Sequence, residues 1–431
     1  MKFLKNKFNF LNFFSYVLCL IPVSLITGPF LSGISIILIS IYGLFNTITK
    51  KFTNRKLNYF LLIFVFYFFY LLFRSFLSDM PSESLKATLF YFRYIFFVIG
   101  VYFLILQNKK NILEKLYVVL FLSFFLIFIS TIIHLLIDLY YDLGESQISG
   151  IFFSEKISGT YVAYLFPILQ TLSISNKDFL KRIKNLTVII FLISLFIVMI
   201  SGQRSALVLF IFSNIILFIG LKEYRKKIFI NKYLLIFFIF FLFLFFSINS
   251  SISKRIFNQT IEQIYNNGDI VLFSKHHESH YITSMKMFNQ NKIFGVGPRL
   301  FRELCDHDNY KYYYNKALQY DNTGNPARIE GRVFIKFLDG CSTHPHNIII
   351  QVLAETGIIG FLFIFSLISY MWIDFYKNYK FNKYNIITYG FLTSLVTIFF
   401  PFIPSNNFFS SFFGVYIFFS ISFWISLKYL K

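Results

Sequence analysis

The chain has 431 residues; 56% are hydrophobic, 22% aromatic and only 14% charged, against roughly 25% charged in soluble domains. Long apolar stretches recur too closely to leave room for soluble domains, so the composition excludes a soluble enzyme and predicts a polytopic, all-α membrane protein. The formal net charge of +21 raises the question of a nucleic-acid partner, which the placement of the cations answers.

A helix needs about 20 apolar residues to cross a bilayer. In chain order the apolar runs predict twelve spans, at 11–29, 31–47, 58–77, 87–106, 116–137, 153–174, 186–201, 205–221, 231–249, 345–373, 385–402 and 408–427. No small-residue cleavage site follows the first, so it reads as a span rather than a signal peptide. Only a few polar residues beside Pro29 separate it from the second, and a re-entrant pair is the alternative. The connecting loops alternate in charge. One set carries Lys2, Lys5 and Lys7; Lys50, Lys51, Arg55 and Lys56; Lys109, Lys110 and Lys115; Lys177, Lys181, Arg182 and Lys184. It continues through Lys222, Arg225, Lys226, Lys227 and Lys232, then Lys377, Lys380 and Lys383, then Lys428 and Lys431. The other set is poor in cations and acidic at Asp138, Asp142 and Glu145. Cytoplasmic loops attract Lys and Arg, so both termini are expected in the cytoplasm. Much of the positive charge is then a topology signal with attraction to membrane lipids as a by-product, and no nucleic acid is expected. The whole of 1–431 reads as a single membrane domain, with one large outer loop, 250–343, between the ninth and tenth spans.

That loop is polar and rich in Gly, Asn, Tyr and His. "HYITSMKMFNQNK" within it predicts a short amphipathic helix, with Tyr281, Met285 and Phe288 at helical spacing. "GVGP" at 295–298 predicts a turn. Cys305 and Cys341 both lie in the loop, where an oxidising compartment allows them to pair; two unpaired thiols is the other reading. Cys19 falls in the first span and reads as packing.

Polar groups held at membrane depth are candidates for function. In "SGQRSALVLF", 201–210, Arg204 occupies a tight outer turn beside Ser201 and Gly202. Its guanidinium offers a fixed fork of donors suited to phosphate oxygens; snorkelling to lipid headgroups is the plainer reading. In "CSTHPHNIIIQVLAETGIIG", 341–360, His344, His346 and Asn347 stand where the chain re-enters the bilayer, with Gln351 and Glu355 below them at helical spacing. An imidazole there can serve as a base at neutral pH, as an interfacial structural group, or as part of a zinc site joined by Asp306, His307 or Asp308. Arg255, His276, His277, His280, Arg299, Arg302, Arg328 and Arg332 are the remaining loop cations and histidines, mostly expected in solvent; Arg299 and Arg302, between "GVGP" and Cys305, are the best placed. Arg93 lies within the fourth span. Walker-type glycine loops, H-E-x-x-H and G-x-S-x-G are absent from the sequence.

"GVGPRLFRELC", followed by "CSTHPHNIIIQVLAETGIIGFL", resembles the O-antigen ligase and O-antigen polymerase family: a G-x-G after a loop helix, then H-N, apolar residues and E-x-G-x-x-G. Here these are Gly295 and Gly297, His346 and Asn347, Glu355, Gly357 and Gly360, and "SGQRSAL" resembles the family's Ser/Gly–Arg turn. The resemblance implies a GT-C-like glycosyltransferase of the bacterial inner membrane. Such an enzyme moves a glycan from undecaprenyl diphosphate to the lipid A core, or to another repeat unit in a polymerase. It also implies a reaction without cofactor, ATP or metal. By the same resemblance His346 and Arg204 are the expected catalytic residues, and His280, Arg299, Arg302, His344, Asn347 and Glu355 the expected substrate contacts. The family pattern carries a second Arg at the start of the loop helix. This chain has "SKHHESHYITS" there, leaving Arg255, Arg299 or a protonated histidine for that part. A lipid-linked sugar flippase is the rival reading. It calls for polar residues along several spans, whereas here polarity gathers at the outer face.

Overall fold

The computed structural model describes residues 10–49, 55–153, 155–175, 185–230, 250–266, 269–270, 274–318, 328–329, 332–333, 335–381 and 385–430, with a few positions between 232 and 240. The expected ninth span, 231–249, apart from those positions, lies outside the described residues. So do Lys2, Lys5 and Lys7, Lys50 and Lys51, Lys177 to Lys184, Lys383 and Lys431.

Helices dominate. In chain order they are α1 (Phe10–Cys19), α2 (Ile21–Ile26), α3 (Pro29–Thr49), α4 (Arg55–Phe76), α5 (Pro81–Thr88), α6 (Arg93–Tyr141), α7 (Ser158–Ser175), α8 (Leu186–Ile200), α9 (Arg204–Gly220) and α10 (Lys222–Ile230). After them come α11 (Gln259–Ile264), α12 (Lys275–Gln290), α13 (Ile348–Phe381), α14 (Ile386–Ile398) and α15 (Ser411–Tyr429). Several starts are capped as sequence dictates. Ser274, Asn385 and Ser410 each accept a backbone N–H from the first turn of α12, α14 and α15, satisfying donors that a helix leaves without a partner.

Among the described residues, five helical runs are long and apolar enough to cross a bilayer: Pro29–Thr49, Arg55–Phe76, Pro81–Tyr141, Ile348–Tyr379 and Ser411–Tyr429. Arg204–Gly220 and Lys222–Ile228 qualify together but are bent by 112°. The chain is therefore a helical membrane protein. Other expected spans fall on shorter apolar helices, among them α1, α8 and α14. The expected fourth and fifth spans share one run, broken only at Asn108, whose φ of −148° and ψ of 42° are not helical. The start of the fourth differs from expectation, because Pro81 opens a separate short helix and a 3₁₀ turn, Leu89–Phe92, precedes α6.

The bundle is built around α7, buried along nearly its whole length despite Pro167. It packs on α6, α8, α9 and α14, while α3 and α15 lie against α6. Small residues set these approaches: a Cβ on Gly43 would fall 1.9 Å from the Phe96 carbonyl oxygen. Cys19 is buried, its Sγ 3.4 Å from the Ile112 carbonyl. Arg93 sits at the end of α6, donating to Ser411 Oγ at 3.0 Å and Tyr94 Oη at 3.2 Å.

Between α10 and α13 the described residues form α11, α12 and short antiparallel ribbons, Tyr313–Leu318 with Ile335–Asp339 and Arg328–Ile329 with Arg332–Val333. The amphipathic helix starts earlier than the sequence pattern indicates, at Lys275. Its buried face is Ser279, His280, Tyr281, Thr283, Ser284 and Met287, while Met285 is exposed. The small residues face inward because backbone comes close there: a Cβ on Gly340 would fall 1.8 Å from Thr283 Oγ1.

Candidate active site

The site is held by a break in α13. At Gly357 (φ 65°, ψ −169°) the helix loses its hydrogen-bond register. The groups released there take up the turn segment 292–297. Val296 N–H donates to the Ala354 carbonyl and Gly297 N–H to the Glu355 carbonyl, both at 2.9 Å, and Ile358 N–H donates to the Lys292 carbonyl at 2.9 Å. Only glycine permits this approach of backbone to backbone. A Cβ at Gly295 would stand 2.4 Å from the carbonyl carbon of Glu355, and one at Gly357 2.3 Å from the Ile293 carbonyl oxygen. Arg74 Nε donates to the Gly295 carbonyl at 2.9 Å from the end of α4.

The Glu355 carboxylate lies inside this clamp, 1% exposed. It accepts the backbone N–H groups of Arg299 and Phe301 at 2.9 and 3.1 Å, and Gln351 Nε2–H at 3.2 Å. Gln351 in turn bonds Asn407 Oδ1 at 2.8 Å and accepts Phe408 N–H at 2.9 Å. The two glycine motifs and the glutamate thus fix where segments 292–301 and 401–408 lie relative to the start of α13.

Asn347 opens α13. Its Oδ1 accepts Ile349 and Ile350 N–H, and its Nδ2 donates to the Pro401 carbonyl at 2.8 Å. Just before it, His346 adopts a left-handed φ of 57°. Its carbonyl accepts Ser405 N–H at 2.8 Å, and His344 Nε2 donates to the Ser405 carbonyl at 3.1 Å. Cys305 and Cys341 are joined in a disulfide, Cα–Cα 5.2 Å, which fastens this tip to the clamp segment.

Five of the chain's seven histidines meet here. The His346 ring centroid lies 4.0 Å from that of His344, 5.4 Å from His277 and 5.6 Å from His280, and His276 lies 4.5 Å from His280. Burial lowers the pKa of His277 to about 3 and of His344 to about 4. It pushes His346 furthest down, with the neighbouring imidazoles adding to the effect. All three rings are therefore neutral at pH 7 in the empty site. The zinc reading is not realised, since among the described residues no three His, Cys, Asp or Glu side chains are arranged to hold a metal ion.

Opposite the histidines stands the α8–α9 turn. Gly202 (φ 61°) lies against the Ser146 carbonyl, which a Cβ would meet at 2.2 Å, and Arg204 is the first residue of α9. Arg204 Nη2 donates to Gln263 Oε1 at 2.7 Å and Nη1 to Thr260 Oγ1 at 3.5 Å. Arg255 Nε donates to the Gly202 carbonyl at 3.1 Å. Burial, and then the charge of Arg204, lowers the Arg255 pKa to about 10. The two guanidinium groups therefore stand close enough to repel.

Arg204, Arg255, His277 and His346 line one cavity of about 250 Å³, together with Lys156, Gln203 and the Pro404–Asn406 turn. Among the described residues no Asp or Glu lines it. Three cationic side chains beside neutral imidazoles suit an anionic group next to a proton acceptor. Residues 189–365 match the family model described as O-antigen ligase. Over that stretch the chain is similar to the O-antigen ligase family. Among curated proteins, none matches.

The O-antigen ligase match contains Arg204, Arg255 and the whole histidine cluster, but the cavity also draws Gln147, Lys156 and Thr160 from before it and Ser405 and Asn406 from after it. Of the expected site residues, the structure brings Arg204 and His346 to the same cavity, with His344 against the His346 ring. The others stand elsewhere. His280 is fully buried behind His346, paired with the Gly340 carbonyl at 3.1 Å and His276 Nε2 at 3.3 Å, and His277 lines the cavity in its place. Asn347 caps α13, and Glu355 is turned to backbone amides. Arg299 contributes its backbone N–H to Glu355, and Arg302 lies 3.9 Å from Glu303; neither lines the cavity. Arg255, one of three alternatives open from the sequence, is the second cavity arginine. Lys156, Gln203 and the 404–406 turn were not legible as site residues; the polar run "PSNN" between two apolar stretches was the available signal.

Proposed function

We propose that this membrane protein is a glycosyltransferase that moves a glycan from undecaprenyl diphosphate to an acceptor sugar, as an O-antigen ligase does toward the lipid A core. The observation that carries this reading is the shared cavity: Arg204 and Arg255 on one wall, His346 and His277 on the other. The acceptor hydroxyl oxygen forms a bond to the anomeric carbon of the donor, and the bond from that carbon to the diphosphate oxygen breaks. His346 takes the hydroxyl proton; undecaprenyl diphosphate departs with its charge held by Arg204 and Arg255. Preorganised cations at developing charge commonly supply about 3–4 kcal/mol of barrier lowering each. Burial keeps His346 neutral and able to accept a proton, and an anion between the arginines raises its basicity by direct attraction. His344 supports the His346 ring, and Glu355 and Asn347 position the chain that carries it. The reaction draws on no cofactor.

In this reading the basic loops lie in the cytoplasm with both termini, the chain crosses the inner membrane about twelve times in a GT-C-like arrangement, and 250–343 lies in the periplasm. The test is the lipopolysaccharide ladder of a strain whose own copy is replaced. Arg204→Ala and His346→Ala should leave bare core, with glycan held on the lipid carrier, while the protein still reaches the membrane. Core bearing a single repeat would assign a polymerase instead, and normal ladders from both variants would remove the site.

A further inference from the structure

A second, larger cavity of about 600 Å³ lies between α4 on one side and α13 and α15 on the other. It shares no lining residue with the cavity of Arg204 and His346. Its walls are hydrocarbon and aromatic, from Val98, Ile364 and Phe418 in the interior to Tyr59, Ile63 and Ile373 at the rim, which are 68%, 53% and 49% exposed. The rim residues belong to membrane-spanning helices, so the crevice opens sideways toward lipid. Water gains no partners on such walls, and an unfilled crevice forfeits the dispersion contacts of its lining.

The two ends differ. One is closed by Phe399 and Phe408. At the other stands Lys56, the single charged lining residue among the described residues, with the hydroxyls of Tyr370 and Tyr429, which bond to each other. Behind them Lys428 donates to Tyr370 Oη at 2.6 Å and is neutralised by its ion pair with Asp374, which leaves Lys56 as the cation of this end. A long apolar slot with a cationic, hydroxyl-bearing end matches a molecule with a hydrocarbon chain and an anionic head.

We propose that this crevice holds an acyl chain of an anionic glycerophospholipid, with the lipid phosphate at Lys56. The occupant is a bilayer phospholipid rather than a polyprenyl carrier because the diphosphate-suited cations, Arg204 and Arg255, line the other cavity. That choice of occupant rests on the proposed function, while lipid binding at Lys56 is measured without a transfer assay, so the two readings fail separately.

The test is native mass spectrometry of the full chain in detergent, titrated with phosphatidylglycerol and, separately, with a diacylglycerol of the same chains, which lacks the phosphate. The wild type should retain one phosphatidylglycerol more tightly than the diacylglycerol. Lys56→Gln should weaken phosphatidylglycerol about fivefold, the effect of one cation at an anionic lipid surface, and leave the diacylglycerol unchanged. Ile63→Trp and Ile373→Trp, at exposed rim positions that leave the core intact, should reduce both lipids, with melting temperature as the check on folding. Equal binding of the two lipids, or phosphatidylglycerol binding untouched by all three substitutions, would overturn the proposal. Displacement of phosphatidylglycerol by undecaprenyl phosphate in a manner sensitive to Ile63→Trp would overturn it too, by making the crevice a carrier site.

Discussion

Glu355→Ala separates a scaffolding role from a substrate-binding one. The carboxylate is 1% exposed and accepts two backbone N–H groups, from Arg299 at 2.9 Å and Phe301 at 3.1 Å. Hydrogen bonds to a charged acceptor contribute about 1.5–3 kcal/mol each, and a buried donor left without a partner costs a comparable amount. Truncation should therefore weaken the hold on 297–301 by about 3–5 kcal/mol. The Val296 and Gly297 bonds to α13 remain, so the loss should be local. Hydrogen exchange of peptides covering 295–305 reads it: protection should fall by about 10²–10⁴-fold, with little change in α7 or α15. Glu355→Gln should fall between, because one oxygen remains to accept while its NH₂ group faces a backbone donor. Unchanged exchange in 295–305 with lost activity would refute the reasoning and return Glu355 to the substrate.

Removing the Cys305–Cys341 bridge with paired serines frees a loop closed over a sequence separation of 36 residues. In the chain-entropy model this costs about 4 kcal/mol of loop stability, and proteolytic cutting between 306 and 340 should speed up accordingly; an unchanged rate would contradict it. Acid should also destabilise the site. His344 has its pKa lowered from 6.5 to about 4 by burial. Below pH 6.5 the unfolded chain therefore takes up a proton that the folded chain refuses until about pH 4. Stability is full above pH 6.5 and declines toward pH 4, by about 3 kcal/mol from this residue. The half-inactivation temperature of purified protein should drop across that window, and His344→Gln should flatten the slope; parallel slopes would remove His344 as the cause.

The membrane class was legible because hydropathy is a composition-level signal: the apolar runs at 31–47, 58–77, 345–373 and 408–427 all coincide with long helices. The break inside α13 was not. Gly357 interrupts an otherwise continuous apolar pattern through backbone dihedrals that a neighbouring segment imposes, whereas Asn108 falls in the polar stretch between the expected fourth and fifth spans. In the site, Arg204 and His346 stood out as polar groups at the membrane face. Their convergence did not, since 142 residues of chain separate them (346 minus 204). Glu355 and Asn347 carry charge and polarity suited to a ligand, yet both are spent on backbone groups that broken or starting helices leave without partners. Arg255 gave no local signal, because what makes it part of the cavity is the Gly202 carbonyl, contributed by a distant turn.

The central claim is that an arginine and an imidazole across one cavity carry the transfer step, and it is met most directly with purified protein, a lipid-linked glycan and an acceptor core. Single-turnover transfer should drop by about 10²–10³-fold in Arg204→Ala and comparably in His346→Ala, with the protein folded and donor binding weakened chiefly by the arginine change. Transfer at the wild-type rate by either variant would contradict the account.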